Sequence, residues 1–169
     1  MWFFWAFHTP HSGTSARCMA LFLSTHINKV DKKGRVSVPA QFRDQLASET
    51  FQGIVLFRSH AHPALEGFAW SYMEEISRRL ENFDLFSAEQ DDLATTVFGE
   101  SVQLAFDGEG RVVLPVDLMQ FAGVVEQAAF VGLGNKFQIW DAAELEKRRT
   151  EARRNVRDKG LTLPKGEVA

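Results

Sequence analysis

The chain has 169 residues, 45% hydrophobic and 24% charged, enough to bury an ordinary globular core in one domain or two small ones. No apolar run approaches the roughly 18 residues of a membrane-spanning helix, and the single cysteine, Cys18, excludes an intramolecular disulfide and any zinc pattern that needs two thiolates. The net charge of −3 hides a segregation: Lys147 to Lys165 holds eight Lys or Arg against two acidic residues, a local +6 that leaves −9 for the remainder.

The opening MWFFWAFHTPHSGTSARC has an apolar run of six residues, Trp2 to Phe7, with no positive segment before it, unlike a secretory signal. Met19 leads directly into strand-like sequence. Residues 1–18 are therefore expected to be a non-native or disordered extension, with Met19 as an alternative start.

The first patterned segment is INKVDKKGRVSVPAQFRDQLA, from Ile27. Ile27 to Val30 reads as extended, DKKG as a tight turn with Gly34 free to take positive φ, and RVSVP as a half-buried strand that Pro39 ends. AQFRDQLA then places Phe42 and Leu46 four apart on one helical face, and GIVLF from Gly53 reads as a further strand. Helices are expected over Ala69–Leu80 and Ser87–Val97, with Ser87 and Gln90 spaced as a capping box.

From Phe106 the pattern returns. FDGEGRVVLPVDLMQFAG aligns without a gap to VDKKGRVSVPAQFRDQLA at an offset of 76 (111 minus 35), matching Asp31, Gly34, Arg35, Val36 and Pro39 with Asp107, Gly110, Arg111, Val112 and Pro115. At the same offset GIVLF falls on AFVGL, from Ala129. One strand–turn–strand–helix–strand unit is thus present twice, over residues 25–72 and 98–141, followed by a basic helix from Ala142 to about Lys159 and a tail, residues 142–169 in all.

The turns carry the chemistry. Ile27 to Arg43 holds Lys29, Lys32, Lys33, Arg35 and Arg43 against Asp31 alone, a net of +4 suited to phosphate, and arginine matches the O6 and N7 edge of guanine through two parallel hydrogen bonds. Asp31 and Asp107 read as turn-stabilising, bonding turn amides or their arginines, with Gly34 and Gly110 supplying the positive φ. The second copy, Gln103 to Met119, sets Arg111 against Asp107, Glu109 and Asp117, a net of −2 that repels phosphate. The first copy is therefore expected to read double-stranded DNA, while the second completes the fold and the assembly.

DKKGRVSVP, DGEGRVVLP and VGLGNKFQIWD (Val131–Asp141) together resemble the MraZ family, built from two SpoVT-AbrB-type units, over roughly Met19 to Arg149. The resemblance implies an α+β fold: a duplicated swapped-hairpin, AbrB-like β-barrel core with peripheral helices. It also implies ring-shaped homo-oligomers that bind repeated guanine-containing boxes upstream of the division and cell-wall gene cluster, in the cytoplasm and on the nucleoid. Carried over by position, the DNA-reading arginine falls on Arg35 and its counterpart on Arg111.

An enzyme finds little support. His60 and His62 share a strand-like spacing without a carboxylate or thiol cluster beside them, GLGN (132–135) reads as a hairpin turn instead of a nucleotide cradle, and Ser37 has no nucleophile motif. No cofactor or metal is expected. Phe137, Ile139 and Trp140 read as packing groups. The rival from another class is an antidote-type interaction protein whose basic tail holds a protein partner, against the plainer reading of a solvated helix anchored by Leu145. If the first turn alone attracts DNA, giving it the second turn's residues, Lys32→Gly with Lys33→Glu, abolishes duplex binding in a titration; retained affinity would refute the division of labour.

Overall fold

The computed structural model describes residues 20–84 and 87–164; the expected extension, residues 1–18, lies outside them. In chain order the elements are β1 (Thr25–Lys29), β2 (Arg35–Ser37), α1 (Ala40–Leu46), β3 (Gly53–Arg58), β4 (Leu65–Phe68), α2 (Trp70–Leu80), α3 (Ala88–Ala94) running into a π-helical turn (Thr95–Gly99), β5 (Val102–Ala105), β6 (Arg111–Val113), α4 (Val116–Ala122), β7 (Gln127–Gly132), β8 (Phe137–Asp141) and α5 (Ala142–Asp158). Pro39 and Pro115 stand immediately before α1 and α4, where a missing N–H costs nothing. Ser87 Oγ accepts from Gln90 N at the start of α3, and the Asp141 carboxylate accepts from Ala143 N and Glu144 N at the start of α5.

Six strands form one antiparallel sheet in the order β1-β7-β8-β4-β3-β5, and β2 pairs with β6 in a separate two-stranded ribbon. The order reads the same from either end once the two units are exchanged. The first strand of each unit lies against the other unit's hairpin: Thr25 pairs with Val131 on β7, and Ala105 with Gly53 on β3. β4 and β8 meet in the middle, with Glu66 opposite Gln138. The closed barrel expected from the resemblance is not formed: among the described residues β1 and β5 are the edges of an open sheet, and the three-residue β2 and β6 pair with each other, β2 meeting the β1 side through the isolated Val30–Val36 bridge instead of a ladder.

Helices and turns correspond at the expected offset of 76, but the third strands do not. β7 begins 74 residues after β3 (127 minus 53) and β8 begins 72 after β4 (137 minus 65), since the second unit's connecting loops are each two residues shorter. Ile54 and Leu56 thus occupy the places of Ala128 and Phe130. A slip of two leaves every side chain on its own face, so the pattern of buried positions is the same under either alignment.

The principal core lies between the inner face of the sheet and a cover made of the β2–β6 ribbon, α1 and α4. It includes Val36, Val38, Phe42, Leu46, Ile54, Leu56, Val112, Leu114, Leu118, Phe130, Phe137 and Ile139. Phe42 is its hub: the ring stands 5.1 Å from Phe22, 5.3 Å from Phe137 and 6.4 Å from Phe130. The outer face is covered in halves. On the first half Met73 of α2 packs on Val55, Phe57 and Phe68; on the second, Leu145 of α5 packs with Ala129 and Trp140. Between them the buried Glu66 accepts from Ser59 Oγ and Gln138 Nε2, both at 2.7 Å, and faces Lys136 Nζ at 3.0 Å. Truncating Phe42 to Ala is expected to cost about 3–5 kcal/mol, read as a lower urea midpoint; an unchanged midpoint would remove the aromatic cluster from the folding core.

Candidate nucleic-acid interface

Each turn is built from the backbone outward. Asp31 Oδ1 accepts from Lys33 N at 2.8 Å and Arg35 N at 2.9 Å, while Gly34 N donates to Asp31 O at 2.9 Å. Gly34 has φ +76° and Gly110 φ +72°, a region that favours glycine. Asp107 repeats the arrangement, accepting from Glu109 N at 2.8 Å and Arg111 N at 2.9 Å. The arginines close both loops: Arg35 Nε lies 2.7 Å from Asp31 Oδ2, and Arg111 Nε 2.8 Å from Asp107 Oδ2.

The turns stand side by side because their strands pair with each other. Val36 faces Val112 across the ladder, Arg35 faces Val113 and Ser37 faces Arg111. Two crossed bonds extend it, from Leu114 N to Gly34 O at 2.9 Å and from Val38 N to Gly110 O at 3.1 Å. The glycine of each turn therefore accepts from the other unit.

In charge the two differ. Lys29, Lys32 and Lys33 are exposed, and Arg35 is engaged through Nε, leaving its two terminal nitrogens without an acceptor among the described residues. Arg111 is held twice, since Nη1 also meets Glu109 Oε2 at 2.6 Å. Arg111 is raised above its usual pKa, first by the Asp107 hydrogen bond and then by the charges of Asp107, Glu109 and Asp31. Arg43, expected among the DNA-contacting cations, is partly buried: its Nε donates to Val38 O at 3.2 Å, and its guanidinium lies over the second turn, where a Cβ on Gly110 would come within 2.3 Å of Nη1. Asp117, counted above against the second copy, meets Arg58 Nη2 at 2.6 Å.

His62 packs 5.3 Å from Trp140 and His60 6.4 Å from Phe57. Among the described residues no group of three or more His, Cys, Asp or Glu is placed to hold a metal, and no helix is long and apolar enough to cross a membrane. GLGN forms the β7–β8 turn, closed by Leu133 N to Lys136 O at 2.8 Å. What sequence reasoning missed is the outward side of the ribbon, with Ser37 and Val113 between the arginines; burial of Val36, Val38, Val112 and Leu114 is the alternation that exposes it.

Comparison with known proteins bears on this geometry. The transcriptional regulator MraZ of Rickettsia felis is 46% identical over 145 residues, covering 86% of this chain and 97% of that protein. The chain belongs to the MraZ family. The namesakes from Rickettsia canadensis and Rickettsia bellii are 45% and 44% identical, again over 86% of this chain and 97% of theirs. Residues 97–161 also match the family described as "MraZ protein, putative antitoxin-like", a span that takes in the second unit and the whole of α5. A match over 145 of the 169 residues takes in both turns.

The turn carboxylates give a direct check. The Arg111 amide, then the Arg111 side chain and the Glu109 amide, lower Asp107 from 3.8 to about 2, and Asp31 is also lowered, first by the Arg35 amide. Because the folded carboxylate titrates below its unfolded value, the hold on the second turn is complete above about pH 4 and is lost as pH falls through about 2. In an NMR titration Asp107 is expected near 2 and, in Arg111→Ala, which keeps the leading amide bond and loses the side-chain contacts, higher but still below 3.8; a midpoint near 3.8 in the unaltered chain would refute the closed turn.

Proposed function

We propose that this chain is a sequence-specific, duplex-DNA-binding transcriptional regulator that reads its site through the first turn. The observation that carries the reading is the asymmetry of two loops built on the same hydrogen bonds. Arg35 keeps its terminal nitrogens available beside exposed Lys32 and Lys33, while Arg111 is closed off by Asp107 and Glu109. A two-stranded ribbon fits the major groove, where a free guanidinium pairs with guanine and lysines neutralise phosphates. The names of the relatives agree with this role. Arg43 acts in it by adding positive charge beneath the second turn.

In this reading the crossed pairing of the two units is an AbrB-like swapped-hairpin core, the chain assembles into rings, and its target is the duplex upstream of the division and cell-wall gene cluster. It works in the cytoplasm, on the nucleoid. A second reading, an antidote-type interaction protein, draws on the far half of α5. There Arg153, Arg154 and Lys159 are exposed and have no acidic partner among the described residues, and the matched family is described as antitoxin-like.

Titration of the chain against its own upstream duplex and a scrambled duplex, at several salt concentrations, separates the two. The expected result is preference for the upstream duplex, weakening with salt, and loss of that preference by roughly tenfold or more in Arg35→Ala. Equal weak binding to both duplexes would favour the interaction-protein reading and direct the search to a partner for α5.

A further inference from the structure

The outward face of the ribbon offers more than charge. Alternation along β2 and β6 sends Val36 and Val112 into the core, each 1% exposed, and leaves Arg35, Ser37, Arg111 and Val113 on the opposite side. The register makes these four a two-by-two patch: Arg35 opposite Val113 and Ser37 opposite Arg111, so the arginines occupy one diagonal and the uncharged pair the other. Directly opposed residues of an antiparallel pair hold their Cβ atoms about 5 Å apart. Val113, contributed by the second unit, thus stands beside the available guanidinium of the first.

Val113 is 56% exposed. The fold gains little from an apolar side chain there, since Thr has comparable strand propensity and Ser occupies the equivalent place on β2. A solvated methyl pair beside an arginine with free donors is instead a chemical description of two neighbouring base edges. In the major groove, thymine presents a 5-methyl group, and guanine presents the two acceptors that fit arginine. The surrounding lysines, Lys29, Lys32 and Lys33, supply the charge complementarity that brings a duplex to this face.

We propose that Val113 is a specificity-determining residue that packs on the 5-methyl group of a thymine adjoining the guanine engaged by Arg35. The inference rests on the duplex-reading role proposed above and deepens it. The second unit, whose turn has no lysine and whose Arg111 is closed off by Asp107 and Glu109, then contributes shape and apolar contact where the first contributes charge.

Deoxyuridine differs from thymidine by that methyl alone, so the test is a titration of the full chain against its upstream duplex made with thymine or with uracil throughout. The unaltered chain is expected to lose about three- to fivefold in affinity with uracil, the effect of one unburied methyl group. Val113→Ala is expected to bind the thymine duplex weaker by the same factor and to be indifferent to uracil, while Val113→Ile keeps the sensitivity; the cycle cancels any change in duplex stiffness. Thermal melts of each variant confirm folding, which an exposed position leaves intact. Equal binding of both duplexes by the unaltered chain, with binding still lost in Arg35→Ala, overturns the methyl contact alone. Absence of salt-dependent duplex binding overturns the underlying role as well. If Val113→Ala shifts the sedimentation coefficient and keeps its uracil sensitivity, the residue belongs to a contact between copies and the proposal fails.

Discussion

The turn-bearing end of this molecule depends on a short antiparallel ladder between the two units. Val36 and Val112 are its buried centre, and the crossed bonds from Leu114 N to Gly34 O and from Val38 N to Gly110 O close its ends. Neither unit has another way to satisfy these groups. A three-residue strand or a seven-residue helix is not stable alone, and the same exchange recurs in the large sheet, where β1 needs β7 and β5 needs β3. The duplication therefore makes one cooperative body with a single inner core, in place of two domains joined by a linker.

Within that body geometry and charge are separable. The loops keep their shape through aspartate oxygens bonded to backbone amides and through glycines at positive φ, features the two copies share. The exposed Asp–Arg pairs add little to stability, since solvent screens them. What they set is availability. An extra glutamate at position 109 closes the Arg111 guanidinium, and lysine at the matching position 33 leaves Arg35 open. One difference, Glu109 against Lys33, on a shared pattern of backbone bonds is enough to close one guanidinium and leave the other open.

The sequence made the local elements readable because their causes are local: proline before each helix, glycine in each turn, aspartate four residues ahead of arginine, and alternation along RVSVP and RVVLP. Long-range pairing was not readable. Which strand β1 joins is decided by surfaces about a hundred residues apart, and nothing in THINK names QAAFVG as its partner. The gapless alignment of GIVLF with AFVGL failed by two residues for a related reason, since a two-residue slip preserves the inside-outside pattern. The expected barrel likewise required knowing that β2 and β6 would close on each other. The candidate site was half legible: charge singled out the first turn, but the patch that joins Arg35 to Val113 exists only through the register of two distant strands.

The same register resolves how an acidic loop and a basic loop stand together. Beneath each turn glycine lies a side chain from the other unit's helix, and the two side chains are equivalent at the offset of 76. A Cβ on Gly34 would stand 3.6 Å from Met119 Sδ, and one on Gly110 would stand 2.3 Å from Arg43 Nη1. The basic turn thus rests on an uncharged, adaptable thioether and the acidic turn on a guanidinium. Exchanged, the two would put a fourth cation beneath Lys32, Lys33 and Arg35 and leave Asp107 and Glu109 with Arg111 alone. The net charge of −2 counted along the second copy was therefore a property of the sequence segment and not of the surface, because Arg43 and Arg58 reach that copy from the first. A cation supplied across the pseudo-twofold thus offsets the acidic loop of the second unit, which carries no basic loop of its own.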